Sequence, residues 1–190
     1  MVELLTGFLF LVSFQAYGTN PISLGFILFF ISLLIVIAFI DFNEFIILDA
    51  LILAGFAISV LLIFNFQFSN CRIISCSVTD SLSGILFFAG IFLLLFLISK
   101  GKWLGFGDVK LAALLGFIFG LEGAVNIFYL TFFAGFIIAI MLLVLKRAGL
   151  KTKIQLGSFM SAAAISFLLS GFNLLDLIDA ELILRLWNIK

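Results

Sequence analysis

The sequence predicts an all-α protein, a polytopic bundle of about seven transmembrane helices. Of its 190 residues, 65% are hydrophobic, 11% are charged and one is proline. Soluble domains average about 45–50% apolar and about 25% charged residues, so this composition excludes a soluble globular fold. Because one bilayer crossing takes about 20 apolar residues, the chain holds enough of them for about six or seven crossings.

Apolar runs separated by short polar links divide the chain into spans of a single domain, residues 1–190. The first run carries Glu3 and has neither a basic segment before it nor a signal-peptide cleavage site, so we interpret it as a retained span. It is short, and the number of spans falls to six if it does not cross fully. The predicted spans are residues 2–17, 22–40, 46–64, 84–99, 109–121, 124–145 and 154–175, before a mixed tail at 176–190 with the pattern of an interfacial helix.

The links carry most of the polar residues. Residues 41–44 form a short polar link, and residues 65–83 form the longest polar stretch, which we expect outside the membrane. The link at 100–110 contains three glycines within seven residues, which disfavours a helix interior. Glu122 and Gly123 predict a tight turn between two consecutive spans.

Lysine and arginine indicate the orientation of the bundle. If the spans alternate, the links at 41–45, 100–110 and 146–153 share one face, and that face holds seven of the ten basic residues. Basic residues concentrate in cytoplasmic loops, so the N-terminus is predicted inside and the C-terminus outside.

Cys71 and Cys76 then lie in the external link. A disulfide is permitted there, and a disulfide and two ordinary thiols are equally open interpretations. A C-x4-C pair supplies only two of the four ligands of a structural zinc site.

The residue inventory restricts the chemistry. The chain has no histidine, which excludes histidine metal sites, Ser-His-Asp triads and Cys-His pairs built from this chain alone. A formal net charge of zero and 27 phenylalanines among the aromatic residues give no indication of nucleic-acid binding. Any catalysis must use carboxylates, lysines, hydroxyls or the backbone, and we predict neither a metal nor a cofactor.

Asp41 and Asp108 are the candidate functional carboxylates. Asp41 ends a long apolar run, and Asp108 follows Gly105 and Gly107, whose missing side chains allow close backbone approach. The predicted topology places both at cytoplasmic helix ends, where they can meet. Composition and spacing leave a functional pair and two solvated boundary residues equally open. The nearby Lys110 is more simply interpreted as a snorkelling anchor.

A pair of neighbouring carboxylates suggests one mechanism. Two carboxylates within hydrogen-bonding distance cannot both stay ionised, so they share a proton. One then acts as a base toward water, and the other donates to the carbonyl under attack. This is the chemistry of aspartic proteases.

Residues 105–113, Gly-Phe-Gly-Asp-Val-Lys-Leu-Ala-Ala, resemble the G-x-G-D-x-K-L-x-A signature of the prepilin peptidases. These are aspartic membrane proteases that share the GxGD element with presenilin-type intramembrane proteases. The segment from Asp41 to Asp49 is similar to the second family signature, in which two aspartates lie eight residues apart. Residues 2–7 resemble the start of the membrane part of bifunctional members, and residues 153–164 resemble their final conserved helix.

The resemblance implies a cell (inner) membrane endopeptidase whose catalytic pair, Asp41 and Asp108, lies at the cytoplasmic face. Its partners are then the lipid bilayer and a type IV prepilin or pseudopilin, from which it removes the leader. No oligomeric state follows. The implied supporting residues are Asp49, Gly105, Gly107 and Lys110.

Two departures from the family pattern concern prolines. Leu48 stands where the family usually has proline, and residues 155–158, Gln-Leu-Gly-Ser, occupy the place of Pro-Phe-Gly-Pro. Without the fixed φ of proline we expect less rigid links. The chain also begins just after the place of the cytosolic CxxC region of bifunctional members, so we expect either peptidase chemistry without methyltransferase activity or a sequence trimmed to the peptidase domain.

Two other classes of protein compete with a peptidase. A small transporter or channel would also keep carboxylates in an apolar bundle, but nearer the membrane midplane and beside broken helices. An inactive structural component of a pilus or secretion apparatus is the other alternative.

The basic-residue bias predicts the topology directly. A reporter fused within residues 146–153 should be cytoplasmic, and one fused beside Cys71 should be external, as read by paired phosphatase and fluorescent-protein fusions. Finding both reporters on one side would contradict the predicted number of spans between them.

Overall fold

The structure is a computed structural model that describes residues 2–18, 21–65, 77–101, 104–144 and 155–170. Over these residues it is all-helical, which confirms the predicted class. The helices are α1 (Val2–Tyr17), α2 (Pro21–Glu44), α3 (Asp49–Asn65), α4 (Val78–Ser99), α5 (Phe106–Val144) and α6 (Leu156–Ser170).

Within the described ranges, three segments are long and apolar enough to cross a membrane: Ser23–Glu44, Val78–Ser99 and Phe106–Met141. The apolar helices α1, α3 and α6 are shorter. These features fit a membrane protein, and the number of seven crossings stays a prediction. The predictions for Cys71, Cys76, the 146–153 link and the tail at 176–190 fall outside the described residues.

Helix α2 supplies a large part of the buried core, second to α5. Its most deeply buried side chains recur at helical spacing, and α2 packs against α6 and α1. The helix is apolar on every side, so packing rather than a hydrophobic stripe decides which face is buried. That buried face comprises Ile27, Phe30, Ile31, Leu34 and Ile37.

Helices α4 and α5 are in backbone contact through glycine. A Cβ added to Gly84 would collide with the carbonyl oxygen of Gly116, and one added to Gly116 would collide with that of Gly84. Small residues let apolar helices approach this closely. The rings of Phe96 and Phe106 meet near the other end of the pair, with centroids 5.6 Å apart. The start of α5 therefore runs antiparallel to α4.

The chain reverses direction within α5, at Gly120. This residue has φ 66° and ψ −168°, a left-handed φ that glycine adopts without steric cost. Beyond it, Phe88 packs against Phe128 and Phe92 against Phe132, so residues 121–144 run in the same direction as α4. Residues 106–119 and 121–144 are thus two helical segments of a hairpin.

Asp80 of α4 stabilises this reversal. Its Oδ1 accepts the backbone N–H of Leu121 at 3.0 Å, which satisfies one of the free amides where the second segment begins. The sequence predicted the turn at Glu122 and Gly123, which is wrong because both are helical. The sequence also predicts Asp80 in an extramembrane link, whereas Asp80 lies in the first turn of α4.

Other helix boundaries differ from the predicted ones. The polar residues 41–44 continue α2 rather than linking it to α3, and the link is residues 45–48, entered through Phe45 at φ 56°. Helix α4 starts at Val78 rather than 84, with Asp80 in a first turn whose dipole favours an acid. Helix α5 starts at Phe106 rather than 109, and α6 at Leu156 rather than 154.

The glycine contact between α4 and α5 generates a stability prediction. Gly84→Ala should lower the free energy of unfolding by about 1–3 kcal/mol, because a methyl group there forces the two backbones apart. Thermal unfolding in detergent measures the change. The matched control is Gly90→Ala on the same helix, where an added Cβ meets nothing within 4 Å. Equal melting temperatures for the two variants would refute the close contact.

Candidate active site

Asp41 lies in the last turn of α2 and is only 5% exposed. Its Oδ2 accepts the backbone N–H of Ser158 at 2.7 Å. The Ser158 hydroxyl lies 2.9 Å from the same oxygen and 3.1 Å from the carbonyl oxygen of Ala38, both of which can accept its proton. Because Ser158 is in the first turn of α6, Asp41 caps that helix from a neighbouring one.

A glycine makes this approach possible. A Cβ added to Gly157 would lie 2.9 Å from Oδ2 of Asp41 and 3.1 Å from Cδ1 of Ile47. Any larger residue at this position would press against the carboxylate. Gly157 therefore lets the first turn of α6 reach the end of α2.

Asp108 lies in the first turn of α5 and caps its own helix. Its Oδ2 accepts the backbone N–H of Gly105 at 3.1 Å, and its own N–H donates to the Gly105 carbonyl at 3.2 Å. The bond from the Gly105 N–H to the Asp108 carboxylate is one half of a capping box, and the other is a backbone turn bond. These bonds explain how a helix starts within a glycine-rich segment that the sequence predicted as a loop.

Gly107 lies where the start of α5 meets the link at 45–48. A Cβ added to Gly107 would lie 3.1 Å from Cβ of Ile47. The glycine therefore provides room for that link beside Asp108.

The two carboxylates face one cavity of about 400 Å³. Asp41 reaches this cavity from the end of α2, and Asp108 reaches it from the start of α5. The first turn of α6 donates the Ser158 amide to Asp41. The cavity is lined by Asp41, Phe45, Ile46, Ile47, Asp49, Gly101, Leu104, Gly105, Phe106, Gly107, Asp108, Lys110, Gln155 and Leu156.

Asp49 and Lys110 form an ion pair at the rim of this cavity, with Nζ 2.6 Å from Oδ1. Lys110 also lies over the ring of Phe106, 5.2 Å from its centroid. The sequence predicts Lys110 as a membrane anchor, and the structure in addition pairs it with Asp49. All six residues predicted for the site, Asp41, Asp49, Gly105, Gly107, Asp108 and Lys110, line the same cavity.

Sequence analysis missed the part that Ser158 and Gln155 play. It treated residues 155–158 as a place where prolines are lost and rigidity falls. In the structure Nε2 of Gln155 donates to the carbonyl of Phe42 at 2.8 Å, and Ser158 binds Asp41. Hydrogen bonds thus fasten α6 to the end of α2. The signal was present, since both residues carry donors that proline lacks.

Leu48, the other proline departure, ends the link before α3. Its carbonyl accepts the N–H groups of Leu51 and Ile52 at 3.2 and 3.4 Å, so α3 starts without proline. Among the described residues, no group of three or more Cys, Asp or Glu side chains is placed to hold a metal ion.

An all-helical protein with two facing carboxylates at helix ends has the character of a membrane enzyme, and comparison with protein families identifies which. Residues 28–142, more than half of the chain and including Asp41 and Asp108, match a sequence model described as the type IV leader peptidase family. The chain belongs to this family. Membership indicates a protease, with prepilin-type leader peptidase function in general. The chain matches no curated protein and no solved structure.

The ion pair at the cavity rim yields a prediction about stability. Asp49 and Lys110 keep 65% and 34% of their side-chain surface exposed, so solvent screens their attraction. A double-mutant cycle with Asp49→Asn and Lys110→Met should give a coupling energy of about 0.2–1 kcal/mol, measured by denaturant unfolding in detergent. A coupling of about 3 kcal/mol or more would show instead that the pair is shielded from water.

Proposed function

We propose that this protein is an aspartic endopeptidase that removes the cytosolic leader of type IV prepilins or pseudopilins. The observation that carries the proposal is the placement of Asp41 and Asp108. They come from different helices, both lie within the family match, and both line one cavity. The third acid that lines this cavity, Asp49, is paired with Lys110.

The mechanism follows from the proximity of two like charges. Simultaneous ionisation of two carboxylates that face one cavity is unfavourable, so in the state that reacts one is ionised and the other is protonated. The ionised carboxylate removes a proton from water, and the protonated one donates to the oxygen of the scissile carbonyl. The chain's own carboxylates and a water molecule are sufficient for this reaction.

The position of the cavity suits a substrate that arrives from the aqueous side. It is formed where the end of α2 and the starts of α3, α5 and α6 meet, so the carboxylates lie at the boundary of the apolar helices. An extended peptide can reach that boundary without entering the bundle. The lysine and arginine bias assigns this boundary to the cytoplasm, which supports cleavage of a cytosolic leader.

The same position argues against a transporter. Transporter sites lie near the membrane midplane beside broken helices. Here Asp41 is in the last turn of α2 and Asp108 in the first turn of α5, while the helix break at Gly120 is 12 residues from Asp108. An inactive structural component is distinguished from an enzyme by an activity assay.

The decisive assay is leader removal from a prepilin by the purified protein in detergent or lipid. Asp41→Asn and Asp108→Asn should each lower cleavage at least about 10²–10⁴-fold, because an amide can neither take a proton from water nor complete the shared-proton state. The double variant should be little worse than either single one, since the two groups act as a unit.

Two acids near the pair serve as controls. Glu44→Gln should cleave at the parent rate, because Glu44 is exposed and does not line the cavity. Asp49→Asn should lose less activity than Asp41→Asn or Asp108→Asn, because the Asp49 carboxylate forms an ion pair with Lys110 at the cavity rim. Substantial cleavage by correctly inserted Asp41→Asn or Asp108→Asn protein would refute the proposed mechanism.

A further inference from the structure

The two carboxylates of the pair have different hydrogen-bond partners. Asp41 accepts a backbone N–H at 2.7 Å and faces a hydroxyl at 2.9 Å, both from Ser158. Asp108 accepts the Gly105 N–H at 3.1 Å. Both acids lie at the N-terminus of a helix, Asp41 at that of α6 and Asp108 at that of α5, but Asp41 also lies in the last turn of α2, whose dipole disfavours a negative charge. The helix dipoles therefore do not favour ionisation of Asp41 over that of Asp108.

Ser158 therefore provides the difference between the two acids. Short hydrogen bonds from N–H and O–H donors favour the ionised form of a carboxyl group over the protonated form. Asp41 is also the more deeply enclosed of the two, so solvent does not replace a donor that is lost.

Within the part of α6 that the structure describes, no charged group competes with this effect. Helix α6 has no ionisable residue over its described length, Leu156–Ser170. The groups that face Asp41 across the cavity are Asp108 and the mutually paired Asp49 and Lys110, and Glu44 on its own helix is exposed.

We propose that Ser158 is a positioning residue that holds Asp41 as the ionised member of the pair, so that Asp41 is the base and Asp108 the acid. The inference rests on the proposed peptidase function. It assigns one role to each carboxyl group. The family match does not include the residue that distinguishes them, because it ends at residue 142, before Ser158.

The assigned roles give a balanced reaction. Asp41 takes a proton from water as the water oxygen bonds to the scissile carbonyl carbon, and the proton of Asp108 passes to the carbonyl oxygen. The resulting diol collapses when the C–N bond breaks: the leaving nitrogen takes the proton from Asp41, and one hydroxyl proton returns to Asp108. Asp41 ends ionised and Asp108 protonated, as they began.

Three variants of Ser158 separate its two hydrogen-bond donors, and a fourth variant serves as a control. Ser158→Ala removes the hydroxyl and keeps the N–H, and Ser158→Thr keeps both. Ser158→Pro removes both donors, at a first-turn position where a helix tolerates proline. The matched control is Ser166→Ala, the same substitution at an exposed position on the same helix.

The kinetic test measures prepilin cleavage. Ser158→Ala should lower kcat about tenfold with KM changed less than about twofold, because one hydrogen bond to a charged group is lost while the cavity lining is intact. Ser158→Pro should lose more, Ser158→Thr should restore most of kcat, and Ser166→Ala should match the parent. An unchanged kcat in Ser158→Ala and Ser158→Pro would overturn the inference.

A labelling test does not depend on cleavage. An epoxide is opened by an ionised carboxylate, whereas a diazoacetyl reagent esterifies a protonated carboxyl. In the parent protein the epoxide should label Asp41 and the diazoacetyl reagent Asp108, as located by peptide mass spectrometry. Ser158→Pro should remove this preference, and Ser158→Thr should keep it.

The two tests separate the inference from the proposed function. Preferential epoxide labelling of Asp108, or equal labelling of both acids in the parent, overturns the role of Ser158 even in an active peptidase. Selective labelling as expected, in a protein that cleaves no prepilin, supports the role of Ser158 in ordering the pair and counts against the proposed function alone.

Discussion

The contact between Asp41 and the first turn of α6 is the interaction on which the site depends. A carboxylate in an apolar bundle is costly unless it is hydrogen-bonded, and the first amides of a helix are equally costly when they lack acceptors. Here the carboxylate and the helix amide satisfy each other, because Oδ2 of Asp41 accepts the N–H of Ser158 at 2.7 Å. This one contact fixes the end of α2 against the start of α6.

The second carboxylate reaches the site through a separate set of constraints. Glycine contacts between Gly84 and Gly116 hold α4 and α5 backbone to backbone, and the hydrogen bond from the Gly105 N–H to Asp108 caps the start of α5. The reversal at Gly120 then turns the remainder of α5 back along α4. Asp108 is therefore positioned by α4 and α5, and Asp41 by α2 and α6. Since α5 also packs against α6, the elements that position the two acids contact each other.

The sequence was sufficient to predict the helical class and the pair of acids, but not the details that link them. Long apolar runs dictate helices in a membrane, and the GxGD motif with the basic-residue bias placed Asp41 and Asp108 on one side. The reversal at Gly120 was missed because several glycines lie in the same apolar run and only packing against Asp80 selects one of them. Ser158 was missed because its donors matter only once α6 lies beside α2, a contact between residues 117 positions apart.

The proline departures gain a physical interpretation from these contacts. A proline fixes φ in the chain that carries it but donates no hydrogen bond, whereas Gln155 and Ser158 restrain the start of α6 by binding Phe42 and Asp41 on α2. In the resembling motif, proline restrains the backbone that carries it. In this chain, hydrogen bonds between α6 and α2 restrain the same segment. A restraint of the second kind acts directly on a carboxylate of the pair, and so it couples the geometry of the helix junction to the charge state of Asp41. Replacing proline with a donor at position 158 therefore adds an electrostatic role to a position whose role in the resembling motif is conformational.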